Sequence, residues 1–143
     1  MRKDAGSFAS KRSTVEKPDP RIAEAVKAKA SGGEFSCFQA EQLAVELQVP
    51  MGDIGVTLDL LEIRIAHCQL GLFGYSPESR IVRPASSVSP DMEHAIRQAL
   101  VNDRLPCSAA WSIAETSGLP RMAVAEACEF LKFKIKPCQL GAF

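Results

Sequence analysis

Three lysines at alternate positions, Lys132, Lys134 and Lys136, and an arginine at position 121 are the residues whose types and spacing best fit a chemical task. Residues two apart in an extended segment share a face, so the lysines form a cationic row. Such a row, with Arg121 nearby, suits the phosphates of a nucleic-acid backbone. It suits equally the solvated edge of a sheet, where lysine blocks edge-to-edge pairing. The five cysteines offer a second chemistry, since Cys37, Cys68, Cys107 and Cys138 would supply four thiolates for a metal or a redox pair. No Cys-x-x-Cys clip accompanies them, and free cysteine otherwise packs as a small buried hydrophobe. We read all four as reduced, buried and metal-free. His67 and His94 stand far apart in the chain, and there is no glycine-rich phosphate loop, nucleophile signature or paired-carboxylate motif. The chain reads as a non-enzymatic protein without a cofactor.

These residues sit in a duplicated sequence. Ile65-Ala66-His67-Cys68-Gln69-Leu70-Gly71-Leu72-Phe73 returns at an offset of 70 as Ile135-Lys136-Pro137-Cys138-Gln139-Leu140-Gly141-Ala142-Phe143. In the same register Leu61 falls on Leu131, Ile54 on Val124, Pro50 on Pro120, Ala44 on Ala114, Cys37 on Cys107 and Val26 on Ile96. Two copies of one small unit follow one another. Both keep the Cys-Gln-Leu-Gly-x-Phe string while their charges differ, so a shared packing task explains it more simply than ligand recognition by Gln69 and Gln139.

The apolar spacing in each copy gives three helices: Ile22 to Ala30, Gln39 to Leu47 and about Met51 to Leu61, matched by Met92 to Leu100, Ala109 to Ser117 and Arg121 to Leu131. In the third helix Ile54, Leu58 and Leu61 fall on one face. The period then changes to alternation over Glu62 to Ala66 and Lys132 to Lys136, which predicts a half-buried strand in each copy. Phe35-Ser36-Cys37 offers a partner strand.

The segment Ala110 to Leu131 resembles the helix-turn-helix and, with its trailing strand, the winged-helix superfamily. The residues that carry the resemblance are Ile113-Ala114, Gly118-Leu119 and Val124, with Leu43-Ala44, Gln48-Val49 and Ile54 in the first copy. Ala114 admits the next helix closely, and Gly118 takes a left-handed conformation cheaply. Gln48 departs from that glycine. The resemblance implies a mainly α fold with short β elements, in which two tandem winged-helix-like units are related by the repeat. The expected organisation is a flexible basic tail at 1–19, repeat one at 20–75, a Ser- and Pro-rich linker at 76–89 and repeat two at 90–143.

The resemblance further implies double-stranded DNA as a partner and a third helix that meets the major groove. Repeat one fits poorly, because Gly52, Asp53, Gly55, Val56, Thr57 and Asp59 are expected on the exposed face and two carboxylates would repel phosphate. Repeat two fits better, and Arg121, Lys132, Lys134 and Lys136 are its candidate DNA-binding residues. Net charge is zero, with 17 basic and 17 acidic residues, so no surface-wide attraction for polyanions exists. The tail carries Arg2, Lys3, Lys11, Arg12 and Lys17 against Asp4 and Glu16. No apolar run reaches the ~20 residues of a membrane span, and residues 1–18 lack the apolar core of a secretory signal, which points to a cytoplasmic protein. Two functional readings stay open: a DNA-binding transcriptional regulator acting through repeat two, and a protein-interaction or scaffold module that keeps the fold without DNA binding, with a protein partner or a homo-oligomer. A thiol-based sensor is a third. Trp111 has no counterpart, since repeat one has Glu41 there; it belongs to a partner surface if exposed and to a contact between repeats if buried.

Overall fold

The computed structural model describes residues 18–143, so most of the basic tail lies outside the described residues. Among the described residues the protein is mainly helical, with short strands. The chain runs α1 (Pro20–Lys29), β1 (Glu34–Ser36), α2 (Cys37–Leu47), α3 (Met51–Leu60) and β2 (Arg64–Ala66). The same order then recurs as α4 (Pro90–Ala99), β3 (Arg104–Leu105), α5 (Cys107–Ser117), α6 (Arg121–Leu131) and β4 (Lys134–Ile135).

Local chemistry fixes the helix ends. Pro20 and Pro90 open α1 and α4, where a missing N–H costs nothing. Asp19 accepts the Arg21 amide at 2.9 Å, and the Ser89 hydroxyl accepts that of Met92 at 3.1 Å. Ser36 and Gln39 form a reciprocal capping box on α2. Pro106 cannot do the same for α5, and there the Cys107 N–H donates instead to the Pro137 carbonyl at 3.1 Å. Gly118 ends α5 in the left-handed conformation at φ 69°, and Gln48 adopts the same conformation after α2 at φ 56°. A non-glycine residue bears a cost of roughly 1–2 kcal/mol there.

The strands pair in parallel: Phe35 with Ile65 between β1 and β2, and Leu105 with Ile135 between β3 and β4. Phe35 and Leu105 are fully buried, as are Ile22 and Val26 of α1 in the first unit and Ile96 of α4 in the second. The alternating lysine segment forms a shorter strand than its pattern predicts. Lys132 closes α6 at φ 66°, its N–H donating to carbonyls of the last turn, and Pro137 carries no N–H to extend the ladder. Exposure nevertheless alternates, with Lys132, Lys134 and Lys136 outward and Ile135 buried.

The chain divides into two compact units, and the duplicated ending is exchanged between them. Among the described residues the first unit runs to Cys68 and takes in Leu140–Phe143, and the second is Gln69–Gln139. Thus Gln69–Phe73, the end of repeat one, lies with the helices of repeat two, and Leu140–Phe143, the end of repeat two, lies with those of repeat one. In the first unit the backbone of Leu140 crosses α3 at Gly55 so closely that a Cβ there would stand 2.1 Å from the Leu140 carbonyl oxygen. This corrects the reading of α3: Gly55, Thr57 and Asp59 are buried rather than solvated. Gly55 and Asp59 are one turn apart on a single face, and the arriving arm covers that face at Gly55. In the second unit residues of the expected linker pack along α6: Val82 is buried, Arg80 pairs with Glu129, and the Ala85 N–H donates to the Glu126 carbonyl at 3.0 Å.

Candidate nucleic-acid interface

The parallel ribbon of the second unit gathers the cations. Register places Arg104 of β3 directly opposite Lys134 of β4, so their side chains share a face. Lys132 and Lys136 flank this pair, and all four residues are exposed. None of the four forms an ion pair or a side-chain hydrogen bond among the described residues. Asp103, in the tight left-handed turn before β3, is a neighbouring carboxylate. Arg104 precedes the helix-turn-helix segment in the chain and is brought to Lys134 only by strand pairing. Its register with Lys134 is a long-range fact, for which the offset of 70 from Glu34 is the available clue.

Arg121 is drawn elsewhere. Its guanidinium stacks on the Trp111 ring, 3.7 Å from the ring centre, and donates to Gln69 Oε1 at 2.9 Å. Arg121 and Trp111 are both half-buried, and the stack is a partly desolvated cation–π contact. The structure therefore separates Arg121 from the lysines with which the sequence grouped it. Trp111 is neither a free partner surface nor a deeply buried wedge: its ring supports Arg121, and Nε1 has no hydrogen-bond partner among the described residues. Gln69, singled out only as part of the repeated string, fastens the arm of repeat one to the start of α6.

The same arm changes what α6 can present. Gly71 lies against Met122 and Ile81, so that a Cβ at Gly71 would come 3.1 Å from the Met122 methyl. With the Arg80–Glu129 pair and the Ala85–Glu126 hydrogen bond, residues 69–85 follow α6 for its length. Arg121, Met122, Ala123, Glu126 and Glu129 are accordingly half-buried. A helix covered in this way does not offer a face to a DNA groove.

Cys37, Cys68, Cys107 and Cys128 are buried thiols and Cys138 is half-buried. Pro137 and Gln139 both touch Cys107, the latter through an amide contact to Sγ at 3.5 Å. Burial, and then the adjacent Glu129 carboxylate, pushes the Cys128 thiol up to about 12 from an ordinary 9.0. Among the described residues, no group of three or more His, Cys, Asp or Glu is placed to hold a metal ion, and no helix is long and apolar enough to cross a membrane.

One apolar feature of the first unit has no counterpart in the second. Phe38 and Val45, 54% and 73% exposed, occupy one face of α2 at i and i+7, where α5 has Ser108 and Glu115. Comparison of the chain with protein-family models, curated proteins and solved structures gives no match.

Proposed function

We propose that this is a non-enzymatic, tandem winged-helix-like protein whose second repeat holds double-stranded DNA by its phosphates, through Arg104, Lys132, Lys134 and Lys136. The recurring order of helix, strand, helix, helix and strand supports the architecture, together with the left-handed residues Gln48 and Gly118 between the second and third helices of each repeat. The observation that carries the DNA reading is the set of four exposed, unpaired cations on one ribbon. Cations held without internal partners keep their full attraction for phosphate, and each contact made releases counterions. Because α6 is covered, the contacts position a duplex without reading its bases. A role in transcription would then rest on weakly sequence-dependent binding.

Titration of a labelled duplex at about 50 mM salt tests the proposal, since non-specific electrostatic binding should be measurable at micromolar protein. Saturable binding that weakens alike for unrelated sequences as salt rises is the expected result; no binding at that salt would contradict it. The exposed Phe38 and Val45 on α2 favour a second reading, a protein-interaction module, which that negative outcome would put ahead.

A further inference from the structure

The string Cys-Gln-Leu-Gly-x-Phe occurs twice, and the ending of each copy, from Gln69 in the first and from Leu140 in the second, lies in the compact unit built from the other repeat's helices. It behaves as an arm with a seat. The seat in the first unit is defined sterically: α3 carries glycine at position 55, and the carbonyl oxygen, carbonyl carbon and Cα of Leu140 would lie 2.1, 2.7 and 3.0 Å from any Cβ placed there. All three are backbone atoms, which cannot swing aside as a side-chain tip can. The seat therefore accepts a turn of backbone pressed onto the helix, and Leu140 and Ala142 are buried on either side of Gly141. Gly141 itself takes φ 81°, a conformation that L side chains resist.

Nothing in this stereochemistry depends on which chain supplies the arm. Within one molecule the repeats already trade endings, and an element traded between equivalent units of one chain can be traded between two chains at little cost, because every contact is reproduced. We propose that the α3 groove at Gly55 is an arm-docking site whose second occupant, besides the chain's own Leu140–Ala142, is the same segment of a second copy, so that two chains dimerise by exchanging arms. This inference is independent of DNA binding, since the seat and the basic ribbon share no residue.

The test uses two full-length chains, each defective in one half of the contact. Gly55→Ala blocks the seat and leaves the arm intact; Leu140→Asp spoils the arm and leaves the seat intact. Neither chain can close this contact on itself, whereas the arm of the first fits the seat of the second. After joint unfolding and refolding at equal concentration, light scattering with distinguishable tags should find a species of twice the monomer mass containing one chain of each kind. Two folded chains that remain separate monomers would overturn the proposal. If either variant fails to fold, refolding of the unaltered chain at about millimolar concentration decides. A dimer whose Leu140 and Ala142 amides are as protected from hydrogen exchange as in the monomer supports arm exchange; monomer alone, or a dimer with exposed arms, overturns it.

Discussion

The two parallel ribbons share one backbone and carry opposite electrostatics. In repeat one Glu34 lies opposite Arg64, with charged atoms 3.9 Å apart, and the positions matching Lys132 and Lys136 hold Glu62 and a buried Ala66. In repeat two the corresponding residues are Arg104, Lys134, Lys132 and Lys136. Register, turn conformation and core are shared, since Glu62 and Lys132 both sit at positive φ and Ile65 and Ile135 both point inward. Charge at these sites is thus free of the demands of folding, and the copies diverge there. The first ribbon pairs Glu34 with Arg64 and carries Glu62 besides, while the four cations of the second have no ion-pair partner among the described residues. The zero net charge of the chain conceals this difference.

The substitution with the largest expected effect makes the second ribbon imitate the first. Lys134→Glu would remove one cation and pair with Arg104 across the ribbon, as Glu34 does with Arg64. Two phosphate contacts would go, and the slope of log affinity against log salt should flatten by about 1.8, at about 0.9 per contact. Anisotropy titrations across a salt series measure this. An unchanged slope would break the link between ribbon charge and binding.

The glycines of α3 test the arm by sign. Gly52 has open space around its Cβ position, whereas at Gly55 the backbone of Leu140 occupies it. Alanine favours a helix over glycine by up to ~1 kcal/mol, so Gly52→Ala should stabilise by a few tenths to ~1 kcal/mol. Gly55→Ala meets the arm and should destabilise by about 1–3 kcal/mol, as overpacking does. Denaturant unfolding of both chains checks the pair; equal effects would mean that the arm does not rest on α3.

Smaller effects come from the turns and from one thiol. Gln48→Gly should gain ~1 kcal/mol by relieving the left-handed conformation, and Gly118→Ala should lose about as much. Cys128 has a raised folded-state pKa, so its contribution is fully present below about 9 and is lost as pH rises towards about 12, where the unfolded thiol ionises and the buried one resists. Stability should therefore fall across that window, and Cys128→Ala should remove that part of the fall.

Much of the fold was legible because it depends on local spacing. The apolar positions of Ile54 and Leu58 and the prolines that open α1 and α4 lie within a few residues of what they specify. Gly118 announced its left-handed conformation, and Gln48 could be placed by alignment to it. What escaped depends on segments that meet from afar. Asp59 looked solvated because carboxylates usually are, yet the repeated arm covers its face of α3 at Gly55. Arg121 looked available because no residue nearby in sequence neutralises it, while Gln69, 52 positions away, accepts its hydrogen bond. Gly55, matched by Ala125 in repeat two, hinted at a close approach, but Gly52 in the same helix has no such role. Composition alone could not tell them apart.

The most direct test of the central claim compares the unaltered chain with one whose ribbon is neutral, Arg104→Ala, Lys132→Asn, Lys134→Ala and Lys136→Ala; asparagine is chosen at 132 because it tolerates the positive φ. Both chains are titrated with the same labelled duplex between about 50 and 200 mM salt. The unaltered chain should lose affinity roughly 100-fold across that range, as expected for four phosphate contacts, and the neutral chain should show little binding and little salt dependence. Equal affinity and equal salt slope for the two folded chains would contradict the account.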